Sequence, residues 1–176
     1  KEANKFAEEQ GAVFVHPFND PTVIAGQGTV ASEAFSQLPN IDYVFVPVGG
    51  GGLVSGIGTY IKQVSPETKV IGVEPEGAAS LSFALEKGQP DELESITKFV
   101  DGASVKKVGD VSFEIAKKVV DDVIPVPEGR VSTTIMELFN NDGIVAEPAG
   151  AMSIAALSKT DIDLKDKNVL CILSGG

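Results

Sequence analysis

The sequence predicts an α/β protein in which a mostly parallel, open sheet is covered by helices on both faces. Three observations lead to this fold class. Short runs rich in β-branched residues alternate with segments of helical period along the 176 residues. Most of these short runs are continuously apolar, as expected for strands that are buried on both faces. The repeated order of strand, helix and strand requires crossover connections, which place neighbouring strands parallel to one another.

Each element is predicted from its own pattern. The strands are expected at the apolar runs Ala12–Val15, Tyr43–Val48, Lys69–Val73, Val123–Val126 and Val169–Leu173. The helices are expected at Thr22–Leu38, Leu53–Val64, Ala78–Lys87, Asp110–Val120, Glu128–Asn141 and Pro148–Ser158. The helical period is clearest where Leu53, Ile57 and Ile61 form one apolar stripe. The last strand is expected in the centre of the sheet because it is so strongly apolar.

Composition excludes several classes of function. The chain has 14 Lys and Arg residues against 25 Asp and Glu residues, which gives a net charge of −11. Nucleic acids and anionic membranes both require clustered basic residues, so we expect binding to neither. The single cysteine and single histidine, Cys171 and His16, provide neither an internal disulfide nor a Cys/His zinc site. Without a long apolar run or a signal peptide pattern, the protein is expected to be soluble and cytoplasmic.

The most informative segment is the glycine run that follows the second predicted strand. Four consecutive glycines, Gly49–Gly52, connect this strand directly to the helix that begins at Leu53. Glycine permits close approach of a ligand to the backbone, and successive N–H groups at a helix N-terminus bind anions. Ligands of open α/β sheets bind at the carboxyl ends of strands, where this loop lies. We therefore interpret the run as a phosphate site; the alternative is a tight turn that needs glycine only for packing.

Two familiar phosphate motifs do not fit this loop. A dinucleotide fingerprint needs its third glycine where Val54 or Ser55 stands, and a Walker motif needs a lysine where Ile57 stands. The nearest lysine, Lys62, is about 15 Å along the helix at about 1.5 Å per residue, so backbone dipoles would hold the anion. Glu74, at the end of the next strand, stands where a ribose-binding acid would stand. A non-catalytic nucleotide-binding regulatory module is therefore an alternative.

The glycine loop behind Val46-Pro47-Val48 resembles the phosphate loop of the fold-type II pyridoxal-phosphate (PLP) enzymes, in particular the threonine dehydratase (threonine ammonia-lyase) family. Further segments resemble motifs of this family in the same order: His16–Pro21 with Ile24–Thr29, Glu147–Ala151, and Leu173–Gly175. The resemblance covers essentially the whole chain, and the combined set is more specific than any one segment. Serine dehydratase and serine racemase are relatives within the same fold type.

The resemblance implies pyridoxal 5′-phosphate as the cofactor and deamination of L-threonine to 2-oxobutanoate and ammonia. This β-elimination of water would serve isoleucine biosynthesis or threonine catabolism, and a serine dehydratase or serine racemase activity is the nearest alternative. The implied cofactor-binding residues are Gly49, Gly50, Gly51, Gly52 and Leu53 at the phosphate, Gly102 and Glu147 near the ring, and Ser174 at the pyridine nitrogen. A serine hydroxyl there stabilises a protonated ring less than a carboxylate would, which favours prompt elimination.

The sequence also departs from the family. The Ser-Phe-Lys motif that carries the Schiff-base lysine is absent, as is the Ser-x-Gly-Asn loop for the substrate carboxylate. The resemblance therefore implies no catalytic residue in this chain, which we expect to be an inactive fragment of a longer polypeptide. Residues 1–20 are expected to end a smaller domain or form a connector, and residues 21–176 to form the large cofactor-binding domain, truncated at both ends.

Two further expectations follow from the resemblance. Glu74 and Ala78 match positions that bind a divalent cation in some relatives, but Ser80 replaces the third position, so no metal is expected. The intact enzyme is expected to act on a small amino acid and to be a homo-oligomer, either a dimer or a tetramer.

Overall fold

A parallel four-stranded sheet forms the centre of the protein in the computed structural model, which describes residues 2–176. Its strands are β1 (Tyr43–Pro47), β2 (Lys69–Pro75), β3 (Asp122–Val126) and β4 (Val169–Cys171), in the spatial order β3-β2-β1-β4. All pairs of neighbouring strands are parallel. The fold class predicted from the alternation of strands and helices is confirmed.

Helices cover both faces of this sheet. They are α1 (Glu2–Gln10), α2 (Pro21–Gln37), α3 (Gly52–Val64), α4 (Ser80–Lys87), α5 (Asp110–Val119), α6 (Glu128–Glu137) and α7 (Pro148–Ala156). A short 3₁₀ turn, Glu76–Ala78, precedes α4, and a π-helical segment, Leu138–Asp142, continues α6. Each predicted helix is confirmed with small differences at its ends. Within residues 2–176, no helix is both long and apolar enough to cross a membrane.

Alternate residues of the central strand β1 enter two separate hydrophobic cores. Val44 and Val46 pack with residues of α2, α3 and α5, whereas Phe45 packs with residues of α6 and α7 on the opposite face. All three side chains are completely buried. Because side chains of a strand alternate between the faces, a strand covered on both sides is apolar at every position.

Two of the sequence-based expectations are wrong. Ala12–Val15 forms no strand, and its apolar side chains are exposed, with Val13 at 88%. Strand preference reflects packing against a neighbour, and no strand in residues 2–176 pairs with this run. Within residues 2–176, the last strand, β4, lies at the edge of the sheet and pairs with β1 alone. The strand is apolar because helices cover both of its faces: Leu170 packs against one hydrophobic core and Cys171 against the other.

Candidate functional site

A cavity of about 510 Å³ lies at the carboxyl ends of β1 and β4. The two strands are neighbours and parallel, so the segments that follow them leave the sheet at the same edge. All of the residues that the sequence analysis assigned to a cofactor line this cavity: Gly49, Gly50, Gly51, Gly52, Leu53, Gly102, Glu147 and Ser174. The structure therefore brings together residues that are up to 125 positions apart in the sequence.

The glycine loop is packed closely against the rest of the protein. Gly51 adopts a left-handed conformation, with φ 87° and ψ −2°, and caps the N-terminus of α3. A Cβ atom at Gly49 would lie 2.9 Å from the Cα of Ala103, and one at Gly52 would lie 2.9 Å from the Cα of Phe18. Glycine is therefore required here for packing as well as for the left-handed turn. The packing role, which was the alternative interpretation of the glycine run, is therefore present.

The backbone polarity of this loop is suited to an anion. The N–H groups of Gly50, Gly51, Gly52 and Leu53 donate to no carbonyl or side chain within residues 2–176. Several carbonyls of the loop are engaged elsewhere: that of Gly50 accepts from the N–H of Gly109 at 3.1 Å, and that of Gly51 accepts from the N–H of Ser55 at 3.1 Å. Free N–H donors at the positive end of the α3 dipole favour a phosphate-sized anion.

The opposite wall of the cavity is formed around Glu147. Its N–H donates to the carbonyl of Gly175 at 3.2 Å, and its Oε1 would lie 3.4 Å from a Cβ atom at Gly102. The carboxylate thus lies beside the backbone of two glycines, in the segment that also carries Ser174. Glu147 is also the N-cap residue of α7, where its carbonyl accepts from the N–H of Ala151 at 3.1 Å while its side chain makes no cap hydrogen bond.

The charges around the cavity give the backbone dipoles the main electrostatic role. Glu147 is the one charged side chain among the lining residues of the described chain, and no lysine, arginine or histidine of residues 2–176 lines the cavity. An anion bound at the glycine loop would therefore be held without a basic side chain from these residues. This arrangement agrees with the sequence-based expectation that α3 supplies no lysine clamp.

Glu74 does not line the cavity, so its assignment as a ribose-binding acid is wrong. The side chain is completely buried at the end of β2. Its carboxylate accepts from the N–H groups of Leu81 and Ser82, at 2.6 and 2.9 Å, and from the Ser82 hydroxyl at 2.7 Å. Burial raises the pKa of Glu74, and these hydrogen bonds oppose the increase. Glu74 therefore binds the N-terminus of α4 and has no accessible oxygen for a ligand.

Several residues that line the cavity were not predicted from the sequence. They are apolar or small residues without a chemical signature: Phe18, Val30, Ala103, Ala149 and Ile172. Gln27, whose role the sequence left undecided, also lines the cavity. Cys171 does not, and burial raises its thiol pKa to about 11. Phe18 is important to the site because it contacts the glycine loop. The spacing of residues in the sequence does not reveal that contact.

Comparison with known proteins gives the family. Residues 1–175 match the family described as pyridoxal-phosphate dependent enzyme. The chain belongs to the pyridoxal-phosphate dependent enzymes. Among the members of this family, it is 53% identical over 176 residues to the L-threonine dehydratase biosynthetic IlvA of Halalkalibacterium halodurans, covering 99% of this chain and 42% of that protein.

Solved structures of pyridoxal-phosphate dependent enzymes have the same fold. The processed form of threonine deaminase isoform 2 from Solanum lycopersicum aligns with a TM-score of 0.90 and 37% identity, over 98% of this chain and 51% of that one. Maize serine racemase aligns with a TM-score of 0.92 and 32% identity, over 99% of this chain and 54% of that one. The chain thus spans roughly half of each solved chain and 42% of the curated relative.

The residues present fit the cofactor of the pyridoxal-phosphate dependent enzymes. A phosphate dianion matches the free N–H groups of Gly50–Leu53 at the start of α3, where a Cβ would obstruct the backbone. A neutral pyridine nitrogen accepts a hydrogen bond, and the Ser174 hydroxyl can donate one. The glycine loop and Ser174 both line the cavity.

Proposed function

We propose that this chain forms the cofactor-binding part of a threonine dehydratase, which converts L-threonine to 2-oxobutanoate and ammonia. The observation that carries the proposal is that one cavity collects every residue assigned to the cofactor, from Gly49 to Ser174. Relatives named L-threonine dehydratase and threonine deaminase support the reaction class. The word biosynthetic in the name of the curated relative supports a biosynthetic role over a catabolic one.

In this proposal the residues of the chain bind and orient the cofactor. Gly49–Leu53 would hold the phosphate, with the free N–H groups of Gly50–Leu53 as the donors, and the Ser174 hydroxyl would donate to the pyridine nitrogen. Gly102 and Glu147 lie near the ring, where the absence of a Cβ at Gly102 leaves room beside the carboxylate. When bound, PLP withdraws electrons from the substrate and so supplies the electron chemistry of the elimination.

We propose that the lysine bonded covalently to the cofactor lies outside this chain. The Ser-Phe-Lys motif is absent from the sequence, and the chain spans 42% of its curated relative. Residues 1–20 would then end a smaller domain or form a connector, and residues 21–176 would form most of the large domain. Below, the intact enzyme means this chain joined to the segments that its relatives have beyond the matched region.

Serine-directed chemistry is a second candidate, favoured by the similarity to maize serine racemase. Comparing kcat/KM for L-threonine and L-serine in the intact enzyme, together with loss of optical activity from L-serine, separates the two functions. We further propose a cytoplasmic homo-oligomer, either a dimer or a tetramer, as the resemblance implies. The nucleotide-binding alternative loses its main support because Glu74 is buried.

Replacing Leu53 with proline tests whether the free N–H groups hold the phosphate. Proline removes the N–H of Leu53, and the first turn of a helix tolerates this residue. One hydrogen bond to a charged group is worth about 1.5–3 kcal/mol, so Leu53→Pro in the intact enzyme should bind PLP about 10- to 100-fold more weakly. Fluorescence titration with the cofactor measures the effect.

Leu53→Ala is the matched control for this substitution. It removes the same leucine side chain but keeps the N–H group, so it should retain affinity close to that of the wild type. Equal affinities for Leu53→Pro and Leu53→Ala, with both proteins folded by circular dichroism, would contradict a phosphate site at the start of α3.

A change at Ser174 tests the proposed contact with the pyridine nitrogen. In the intact enzyme, Ser174→Ala should keep the cofactor but turn over threonine about 5- to 30-fold more slowly, because one neutral hydrogen bond is worth roughly 1–2 kcal/mol. Ser174→Asp should raise ring protonation, visible in the absorbance of the bound cofactor, and also slow elimination. Ser36→Ala, a change on the exposed face of α2, is the control. Unchanged turnover in Ser174→Ala would argue against the contact.

A further inference from the structure

We propose that His16 is a positioning residue for the glycine loop Gly49–Gly52, that it acts through Phe18, and that it does so only as a neutral imidazole. This inference rests on the proposed role of the loop in holding the cofactor phosphate. His16 does not line the cavity, and it is the only histidine in the chain. Four sets of contacts carry the argument.

The first set defines the protonation state of His16. Its Nδ1 accepts from the N–H of Asn19 at 3.1 Å and lies 3.4 Å from the N of Phe18. Backbone N–H groups can only donate, so Nδ1 must be unprotonated and the ring hydrogen must be on Nε2. The imidazole therefore closes a tight turn from His16 to Asn19 as long as it is neutral.

The second set fixes the imidazole within an aromatic cluster. The His16 ring packs edge-on against Phe18, with a centroid distance of 4.5 Å and an interplanar angle of 81°. On its other side it meets Phe14 at 5.9 Å and 75°. The turn and the cluster together restrict where the Phe18 ring can lie.

The third set connects Phe18 to the glycine loop. A Cβ atom at Gly50 would collide with the Phe18 ring, and one at Gly52 would lie 2.9 Å from the Phe18 Cα and 2.9 Å from its carbonyl oxygen. Phe18 also lines the cavity. It is thus the support against which the loop rests, and a displacement of Phe18 alters the space that the loop occupies.

The fourth set anchors the far end of the turn. Asn19 Oδ1 accepts from the N–H of Val111 at 2.8 Å, at the start of α5. Asp20 Oδ1 accepts from the N–H groups of Thr22 and Val23 at 2.8 and 3.1 Å, at the start of α2. The Ser112 hydroxyl on α5 also donates to the carbonyl of Phe18 itself. The backbone of this segment is therefore anchored by two helices, and the turn closed by His16 controls the position of the Phe18 ring.

Protonation of His16 therefore has a defined local effect. An N–H at Nδ1 would face the two backbone N–H groups that it now accepts from, so the turn would open and the Phe18 ring, which rests against Gly50, would shift. The charged groups around this segment are Asp20 at the N-cap of α2, Asp110 at the start of α5 with its ion-pair partner Lys107 at 2.9 Å, and Glu147 across the cavity. A cationic imidazole by itself would attract an anion and raise the affinity of the glycine loop for it. Displacement of the Phe18 ring would lower this affinity, so the sign of the change distinguishes the two effects.

The test is an NMR titration of the full chain between pH 8 and pH 5, with and without sulfate. Sulfate is the probe because its charge stays constant over this range. We expect the Nε2–H form of His16 at pH 8, a change of the Gly50 and Gly52 amide shifts that accompanies protonation of the imidazole, and a sulfate affinity that falls about five-fold when His16 is protonated. This change of the amide shifts should be present even without sulfate.

Two variants separate positioning from bulk packing. His16→Asn keeps an acceptor for the same N–H groups but does not titrate, so its loop amides and sulfate affinity should stay in the high-pH state throughout. His16→Phe keeps an aromatic ring without the acceptor and should show the low-pH state at every pH. Loop amides of the wild type that do not follow the His16 titration, or sulfate binding that strengthens on protonation, would overturn the proposal. Loop amides that titrate while sulfate does not bind would instead contradict the phosphate site.

Discussion

Gly51→Ala in the intact enzyme is expected to lower the affinity for PLP by about 100-fold or more while leaving the fold largely intact. The left-handed conformation of Gly51 costs an alanine about 1–2 kcal/mol, and the new Cβ would lie 3.0 Å from both Ser112 Cβ and Val108 Cγ2. Relief of this strain rotates the peptide groups on either side. Two or more N–H groups then leave the phosphate, and each hydrogen bond to a charged group is worth about 1.5–3 kcal/mol.

Gly88→Ala provides a matched control. Gly88 ends α4 with a φ of 74°, and a Cβ atom there would contact no atom of residues 2–176 within 4 Å. This substitution carries a similar backbone penalty without touching the cavity, so thermal stability should fall while cofactor affinity is unchanged. Gly50→Asp should also abolish cofactor retention, but it collides with Phe18 and is a less selective test. Full cofactor occupancy and normal activity in Gly51→Ala would show that the loop is only a packing turn.

The second large effect concerns the 176-residue chain by itself. We expect no threonine dehydratase activity and no covalent attachment of PLP after borohydride reduction, because the lysine-bearing motif is absent. Weak binding of phosphate or free cofactor at the glycine loop is compatible with this expectation. The assay compares the purified chain with the intact enzyme, using a host strain without its own threonine dehydratase. Turnover by the purified chain would refute the assignment of the catalytic lysine to another segment.

The sequence is most informative where a local rule agrees with the tertiary environment. β1 and β2 are buried on both faces, so their apolar runs predict them without help from distant residues. The glycine loop can also be predicted from the sequence, because a run of four glycines between a strand and a helix indicates a tight connection between them. The grouping of Gly102, Glu147 and Ser174 with this loop came from the family resemblance, since no local pattern brings such distant residues together.

Other features depend on neighbours that local patterns do not show. The sequence places Glu74 where a ligand-binding acid would stand, but the N-terminus of α4 occupies its oxygens. Ala12–Val15 has strand composition but lacks a pairing partner in residues 2–176. The roles of His16 and Phe18 arise from contacts with backbone atoms, and a backbone contact imposes no side-chain pattern that could be recognised in advance.

The edge position of β4 determines how the isolated chain would self-associate. Asn168 accepts from the N–H of Tyr43 and Ile172 donates to the carbonyl of Phe45, so the intervening backbone groups of Val169 and Cys171 face away from β1. The opposite edge, β3, contains Asp122 and Pro125, residue types that discourage strand addition. If strands of different copies pair only through β4, association stops at two copies, because each copy has then used its one available edge. Concentrated preparations of this chain would therefore accumulate dimers rather than fibrils.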